Sequence, residues 1–204
     1  MGSDGIVLHL GCGSVYLKGC INVDIKKPGK TKTTDNLIAT EELERHTTTF
    51  DKYYKHEFQK DKSADCNIID YVADISNRQH LLNIKRQEGE DISGIIAVQV
   101  LEHFPQDRAE AILEMWISLL KIGGFIIISV PDIVKTASHE SVSKDPRYIA
   151  RLVYGSQVDE YSFHKSMFHE KYLKGLMSKF GLERISSIPN FHEYPATILK
   201  GIKK

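Results

Sequence analysis

Apolar residues gather in short, nearly unbroken runs: IVLHL at 6–10, INVDI at 21–25, IIDYVAD at 68–74, GIIAVQV at 94–100 and FIIISV at 125–130. Runs that do not alternate with polar residues suit parallel strands covered on both faces. Between the last two, FPQDRAEAILEMWISLLKIGG sets Ala109, Ile112, Leu113, Trp116, Leu119 and Leu120 on one helical face, with Pro105 and Asp107 at its start and Gly123-Gly124 at its end. Strand, helix and strand in this order predict a right-handed crossover in an open α/β sheet, mostly parallel, with helices on both faces. Further helices are expected near 145–154 and 170–180. Two closing strands, 182–188 and 196–200, flank a proline-bearing loop and supply an antiparallel C-terminal strand.

Two segments break this rhythm. Residues 26–67 are polar and partly charged, and read either as an insertion or lid after the second strand or as a solvated surface helix. Residues 132–180 read as a helical segment on the acceptor side of any site, because ligands of open α/β sheets bind beyond the carboxyl ends of the strands. The whole of 1–204 is expected to be one domain, with 41% hydrophobic and 26% charged residues.

Charge removes one class of partner. Lysine and arginine number 27 and aspartate and glutamate 27, so no global basic field gathers nucleic acid. Cys12, Cys20 and Cys66 are an odd set without metal-type spacing, which predicts reduced thiols and a cytoplasmic setting. No apolar stretch reaches the length of a membrane span. The MGSDGI start lacks the serine or threonine of a myristoylation signal. Oligomeric state is not readable.

The chemistry concentrates in LHLGCGSVYLKGCINVDI, residues 8–25. Gly11 and Gly13 let the backbone bend and a ligand approach, and Asp24 at the end of the next run can accept two hydrogen bonds from a ribose diol. A dinucleotide fingerprint wants a third glycine at the position of Tyr16, and no glycine-lysine-serine follows for a phosphate loop. A nucleoside site without pyrophosphate is the expectation, and a nucleotide-dependent oxidoreductase is disfavoured.

These residues resemble the class I S-adenosylmethionine-dependent methyltransferases over most of the chain. LHLGCGS resembles the first motif of that family, YVADI its third strand end, AVQVLEHF its fourth strand, and LLKIGGFIIISVPD its helix, glycine turn and fifth strand. YSFHKSMFHEKYLKGLMSKFGLERI and the short Ser14–Cys20 link resemble a small-molecule and glycan-associated, type 11-like branch. The resemblance implies a Rossmann-like sheet and S-adenosyl-L-methionine as cofactor, held by Gly11, Cys12, Gly13, Asp24, Ile25, Asp74, Ile75, Gln99 and Val100. It implies methyl transfer, with oxygen of a small metabolite or glycan as the acceptor; a catalytically silent cofactor-binding module is the alternative. Two departures stand out: His9 where an acidic residue is common, and Val15 where a third glycine is common. The seven-residue link is too short for a full crossover helix and predicts a stub of helix or an irregular loop.

On the acceptor side, His164, Tyr161, Asp132 and His103 are the candidate catalytic residues, with Tyr161 and His164 able to share a helical face. Glu102 and His103 also suit a capping role at the next helix. Arg147 and Lys165 read as solvated charges or as partners of an anionic acceptor. The loose His164 and His169 pair gives no metal site.

Overall fold

A computed structural model describes residues 5–13, 15–25, 46–48, 69–139, 145–192 and 194–204. Seven strands form one open sheet flanked by helices, in the order β5-β3-β1-β6-β7-β9-β8. They are β1 (Ile6–Leu10), β3 (Ile21–Asp24), β5 (Tyr71–Val72), β6 (Ile92–Val98), β7 (Leu120–Pro131), β8 (Leu182–Ser187) and β9 (Ala196–Lys203). β1 pairs in parallel with β3 and β6, β3 in parallel with β5, and β8 antiparallel with β9, so the mostly parallel sheet with an antiparallel C-terminal part is as expected. The chain divides into two compact units, one of 1–97 with 119–125 and one of 98–118 with 126–204.

In the first unit every residue of β6 is buried, along with Leu8, Leu10 and Val23, as the unbroken apolar runs require. The helix α1 (Arg78–Glu88) has no counterpart among the expected elements, although its punctuation is visible. Asn77 caps it by accepting from the Gln79 N–H at 2.9 Å, and Gly89 closes it at φ 72°. The third run yields only the two-residue β5.

The Ser14–Cys20 link departs from expectation. Val15–Leu17 is a strand, β2, paired in parallel with His46–Thr48, β4. The physical reason is Asn22, fully buried on β3. Its Oδ1 accepts from the Leu17 N–H at 2.8 Å, and its Nδ2 donates to the carbonyls of Leu17 and Cys20, both at 3.0 Å. One amide thereby ties down the crossover that a helix would otherwise make. The other residues of the 26–67 insertion lie outside the described residues, as does Cys66; Cys12 and Cys20 form no disulfide among the described residues.

The second unit contains α2 (Gln106–Leu119), whose Ala109, Ile112, Leu113, Trp116 and Leu119 are buried as their spacing predicts. The helix ends before the glycine pair rather than at it. Extended backbone begins at Leu120, and Gly123 adopts φ 76° inside β7. The remaining helices are α3 (Ile133–Ala137), α4 (Pro146–Tyr154) and α5 (Glu170–Lys179). Residues 155–168 between α4 and α5 are not helical. No described helix is long and apolar enough to cross a membrane.

Asp132 is the polar centre of this unit. Its Oδ1 caps α3 by accepting from the N–H groups of Val134 and Lys135, at 3.0 and 2.9 Å. Its Oδ2 accepts from the Thr197 hydroxyl at 2.5 Å and the Glu170 N–H at 3.2 Å, joining β7 to β9 and α5. Burial pushes its carboxyl pKa up, and these donors outweigh burial, so the net shift is downward.

Two predictions follow from these buried groups. Asp132→Ala should lower unfolding free energy by about 3 kcal/mol in urea titration; a loss under about 1 kcal/mol would remove its structural role. His9, 2% exposed, donates from Nδ1 to Asn22 Oδ1 at 2.9 Å, and burial drives its pKa down to about 4. The unfolded chain takes up this proton near pH 6.5 and the folded chain only near 4, so stability present above 6.5 is lost as pH falls through that window, by roughly 3 kcal/mol. His9→Gln, neutral at every pH, should flatten this acid limb; an unchanged slope would exclude His9 as its source.

Candidate functional site

The turn after β1 is built from left-handed glycine. Gly11 and Gly13 stand at φ 65° and 54°, and a Cβ on Gly13 would meet nothing within 4 Å, so backbone conformation rather than crowding demands glycine there. The N–H groups of Gly11 and Cys12 donate to the Val23 carbonyl at 2.9 and 3.2 Å, which fastens the turn to β3. At the end of β3 the Asp24 carboxylate turns toward it. Oδ2 accepts from the Gly13 N–H at 2.5 Å and Oδ1 from the Ile25 N–H at 2.7 Å. Ile25 beside it is an exposed apolar side chain. Gly11, Cys12, Gly13, Asp24 and Ile25 are thus brought together.

The Ala73 N–H donates to the Asp24 carbonyl at 2.9 Å, setting the next segment beside this cluster. Asp74 Oδ1 accepts from the Ser76 N–H and hydroxyl, at 2.8 and 2.6 Å, shaping the entry to α1, and Ile75 is buried. His9 does not face this cluster as a polar group. Its ring is withdrawn to Asn22 and uncharged at neutral pH, so the substitution of an acidic residue there carries no replacement charge.

In the second unit a cavity of about 650 Å³ gathers Gln99, Glu102, His103, Tyr161, His164 and Tyr194. Gln99 is held at φ 56°, its N–H on the Ser129 carbonyl at 2.8 Å and its Nε2 on the Ser129 hydroxyl at 2.9 Å. Ser129 continues to His192 Nε2 at 2.9 Å, and His192 stacks on Tyr194 with ring centroids 4.6 Å apart. Val100 is buried behind this line.

Glu102 and His103 sit on a single 3₁₀ turn, Leu101–His103, after β6. Opposite, the loop that carries His164 is strapped down. The Glu102 carbonyl accepts from the N–H groups of Lys165 and Ser166, at 2.6 and 3.1 Å, and the His164 N–H donates to the Tyr154 carbonyl at 3.0 Å. Gly155 permits the approach: at φ 80°, a Cβ there would overlap the Ser162 carbonyl oxygen.

Both imidazoles are oriented alike. His103 Nδ1 donates to the Phe163 carbonyl at 3.0 Å and His164 Nδ1 to the Leu152 carbonyl at 2.9 Å, which leaves Nε2 of each with its lone pair. Burial depresses both pKa values, so both rings are neutral at neutral pH. Their centroids are 5.1 Å apart. Glu102 is 1% exposed, its carboxylate takes no hydrogen bond from any other described residue, and burial, offset only in part by its own backbone N–H, raises its pKa to about 8. One ligating atom from each of Glu102, His103 and His164 lies within 4.8 Å of the others.

The remaining candidates separate. Tyr161 lines the cavity, yet residues 158–162 form a turn closed by Asp159, which accepts from the Tyr161 N–H at 3.1 Å, so Tyr161 and His164 share no helical face. Asp132 is committed to its caps, His169 caps α5, and Arg147 is paired with Asp145 at 3.0 Å in solvent. Sequence reasoning passes over Tyr148, Arg151 and Tyr194, which also line the cavity. The spacing Tyr148, Arg151, Leu152, Gly155 is the available signal, since it marks one face of α4.

No protein-family model matches the chain, and no curated protein matches it by sequence. Solved structures do resemble it. A SAM-dependent methyltransferase from Archaeoglobus fulgidus is 13% identical, with 98% of this chain and 86% of that one covered, at a TM-score of 0.50. An O-methyltransferase family protein from Burkholderia thailandensis is 12% identical, covered 98% and 51%, at a TM-score of 0.50. Human N-acetylserotonin methyltransferase in complex with SAM is 12% identical, covered 98% and 47%, at a TM-score of 0.53. This chain therefore spans about half the length of the last two. At these identities the likeness is one of fold, and the fold is the Rossmann-like one of the SAM-dependent methyltransferases.

Proposed function

We propose that the chain is a SAM-dependent methyltransferase of the type 11-like branch, acting on oxygen of a small metabolite or a sugar. The observation that carries this reading is the Asp24 carboxylate held against a left-handed glycine turn at the end of two parallel strands. The donor set fits an adenosyl group. Asp24 offers acceptors to a ribose diol, exposed Ile25 offers apolar surface to a base, and Gly13 leaves open space where a side chain would intrude. Asp74 and Ile75 complete the adenine side in this assignment. Bound SAM supplies an electrophilic methyl carbon, and it needs no resident group of comparable reactivity from the protein.

The chain's own tasks are orientation, exclusion of water and handling of one proton. His103 and His164, neutral and fixed through Nδ1, present Nε2 to take a proton from a hydroxyl in the cavity. Tyr161 positions the acceptor in the same cavity. Asp132 is left out of the assignment, because its oxygens already serve four donors. Zero formal net charge argues against nucleic acid as acceptor, and an odd set of three cysteines is in keeping with a reducing, cytoplasmic setting.

Calorimetry tests the cofactor side. SAM should bind and NAD should not, and Asp24→Ala should weaken SAM by on the order of 1–3 kcal/mol. Equal affinity in wild type and Asp24→Ala would remove the proposed ribose contact. Tritiated methyl transfer to a panel of glycans and metabolites tests the acceptor side. His164→Ala, and Gly155→Ala through displacement of the loop, should cut turnover at least ~10-fold while leaving SAM affinity nearly unchanged. Tight SAM binding that His164→Ala abolishes would place His164 on the cofactor side instead.

A further inference from the structure

The cavity contains a group whose surroundings ordinary packing does not explain. A buried carboxylate without a donor is among the more costly arrangements in a protein interior, and cores normally pair such a group or replace it with an apolar one. Glu102 is left with a proton, or a cation, to balance it. The groups facing it from the packed elements are His103 on its own turn and His164 on the opposite loop, both neutral; Lys165 and Asp159 act on His103 from that loop at longer range.

From this geometry we infer that Glu102, His103 and His164 form a three-ligand site for a divalent first-row transition cation, with zinc as the reference ion. Three features of the arrangement carry it. The donor set is two imidazoles and one carboxylate, the combination found in three-ligand sites that keep a position open for water or substrate. Each imidazole donates Nδ1–H to a backbone carbonyl, the outer-shell bond that fixes the tautomer of metal-bound histidine and leaves Nε2 as the ligating atom. The loop is fixed in advance as well, since the Glu102 carbonyl takes the N–H groups of Lys165 and Ser166, the two residues that follow His164. The sequence offers no metal motif here, because His164 lies 61 residues beyond His103. A tetrahedral ion would draw the donor atoms from their 4.8 Å spread to about 3.3 Å, a movement within reach of side-chain rotation.

An ion so held would lower the pKa of an oxygen bound at its open position. With the ion bound, Nε2 of His103 and His164 is occupied, so on this inference the ion replaces the direct proton transfer assigned to them above, and the SAM assignment is untouched. The inference is independent of the cofactor assignment, since neither SAM nor turnover enters its test.

Titration calorimetry of the full chain, stripped with chelator, should show one Zn²⁺ bound with a Kd of about 1 μM or tighter. Glu102→Gln and His164→Ala should each weaken it at least ~100-fold, while His169→Gln and the Cys12, Cys20 and Cys66→Ser triple variant should not. Crystals grown with zinc should give an anomalous peak between the three side chains; this readout needs no variant, and it decides the matter if Glu102→Gln fails to fold. No saturable binding by Zn²⁺ or Co²⁺, binding that survives loss of Glu102 and His164, binding lost with the cysteines, or a peak elsewhere would each overturn the site. A failed SAM titration alongside a positive zinc result would remove the methyltransferase reading and leave this one standing.

Discussion

The two hydrogen bonds accepted by the Glu102 carbonyl, from Lys165 and Ser166, hold together parts of the chain more than sixty residues apart, and the chemistry of the second unit depends on them. They fix a loop that has no regular secondary structure of its own. With that loop in place, the carbonyls of Phe163 and Leu152 can each orient an imidazole. The Glu102 side chain is then enclosed, with almost no exposed surface. A backbone contact, the least specific of interactions, thus creates the most specific cluster in the unit.

The first unit uses a different device for a similar end. Asn22 organises the chain there by bonding Leu17, Cys20 and Asp70 from one side chain. This lets a seven-residue link do what a crossover helix does elsewhere, and it delivers Gly11–Gly13 and Asp24 to the same strand ends. The position of His9 is a consequence: with Asn22 fully buried, its neighbour on β1 must be a neutral donor, and an imidazole with Nδ1–H satisfies that where a carboxylate would not.

Much of this architecture is written in local pattern. Unbroken apolar runs give β1, β6 and β7, and a single face of spaced apolar residues gives α2, because burial on both faces or on one stripe leaves a periodic trace. The glycine turn and Asp24 are readable for the same reason, as they are close in sequence. What escapes depends on distance along the chain. Nothing near Asn22 announces that it will bind both ends of a link, and nothing near Glu102 announces that its carboxylate will be enclosed by a loop from beyond residue 154. Spacing rules find ligands on one turn or hairpin, whereas Glu102 and His103 stand on a 3₁₀ turn and His164 on a strapped loop. Asp132 is similar, since nothing near it in sequence announces that Thr197 and the Glu170 N–H will donate to its carboxylate.

Charge explains why the Glu102 cluster can exist without unfolding its surroundings. With Glu102 protonated below about pH 8 and both imidazoles neutral, these three side chains carry no net charge among themselves, in a cavity that Arg151 also lines. A divalent ion that displaces the carboxyl proton would change the cluster by one positive charge rather than two, which limits the Born cost of placing it there. The residual charge would favour an acceptor oxygen that is anionic or becomes so. In that sense the unpartnered carboxylate is what makes a buried cation tolerable: an amide at the same position would fill the space equally well and leave the full double charge to be carried by neutral ligands.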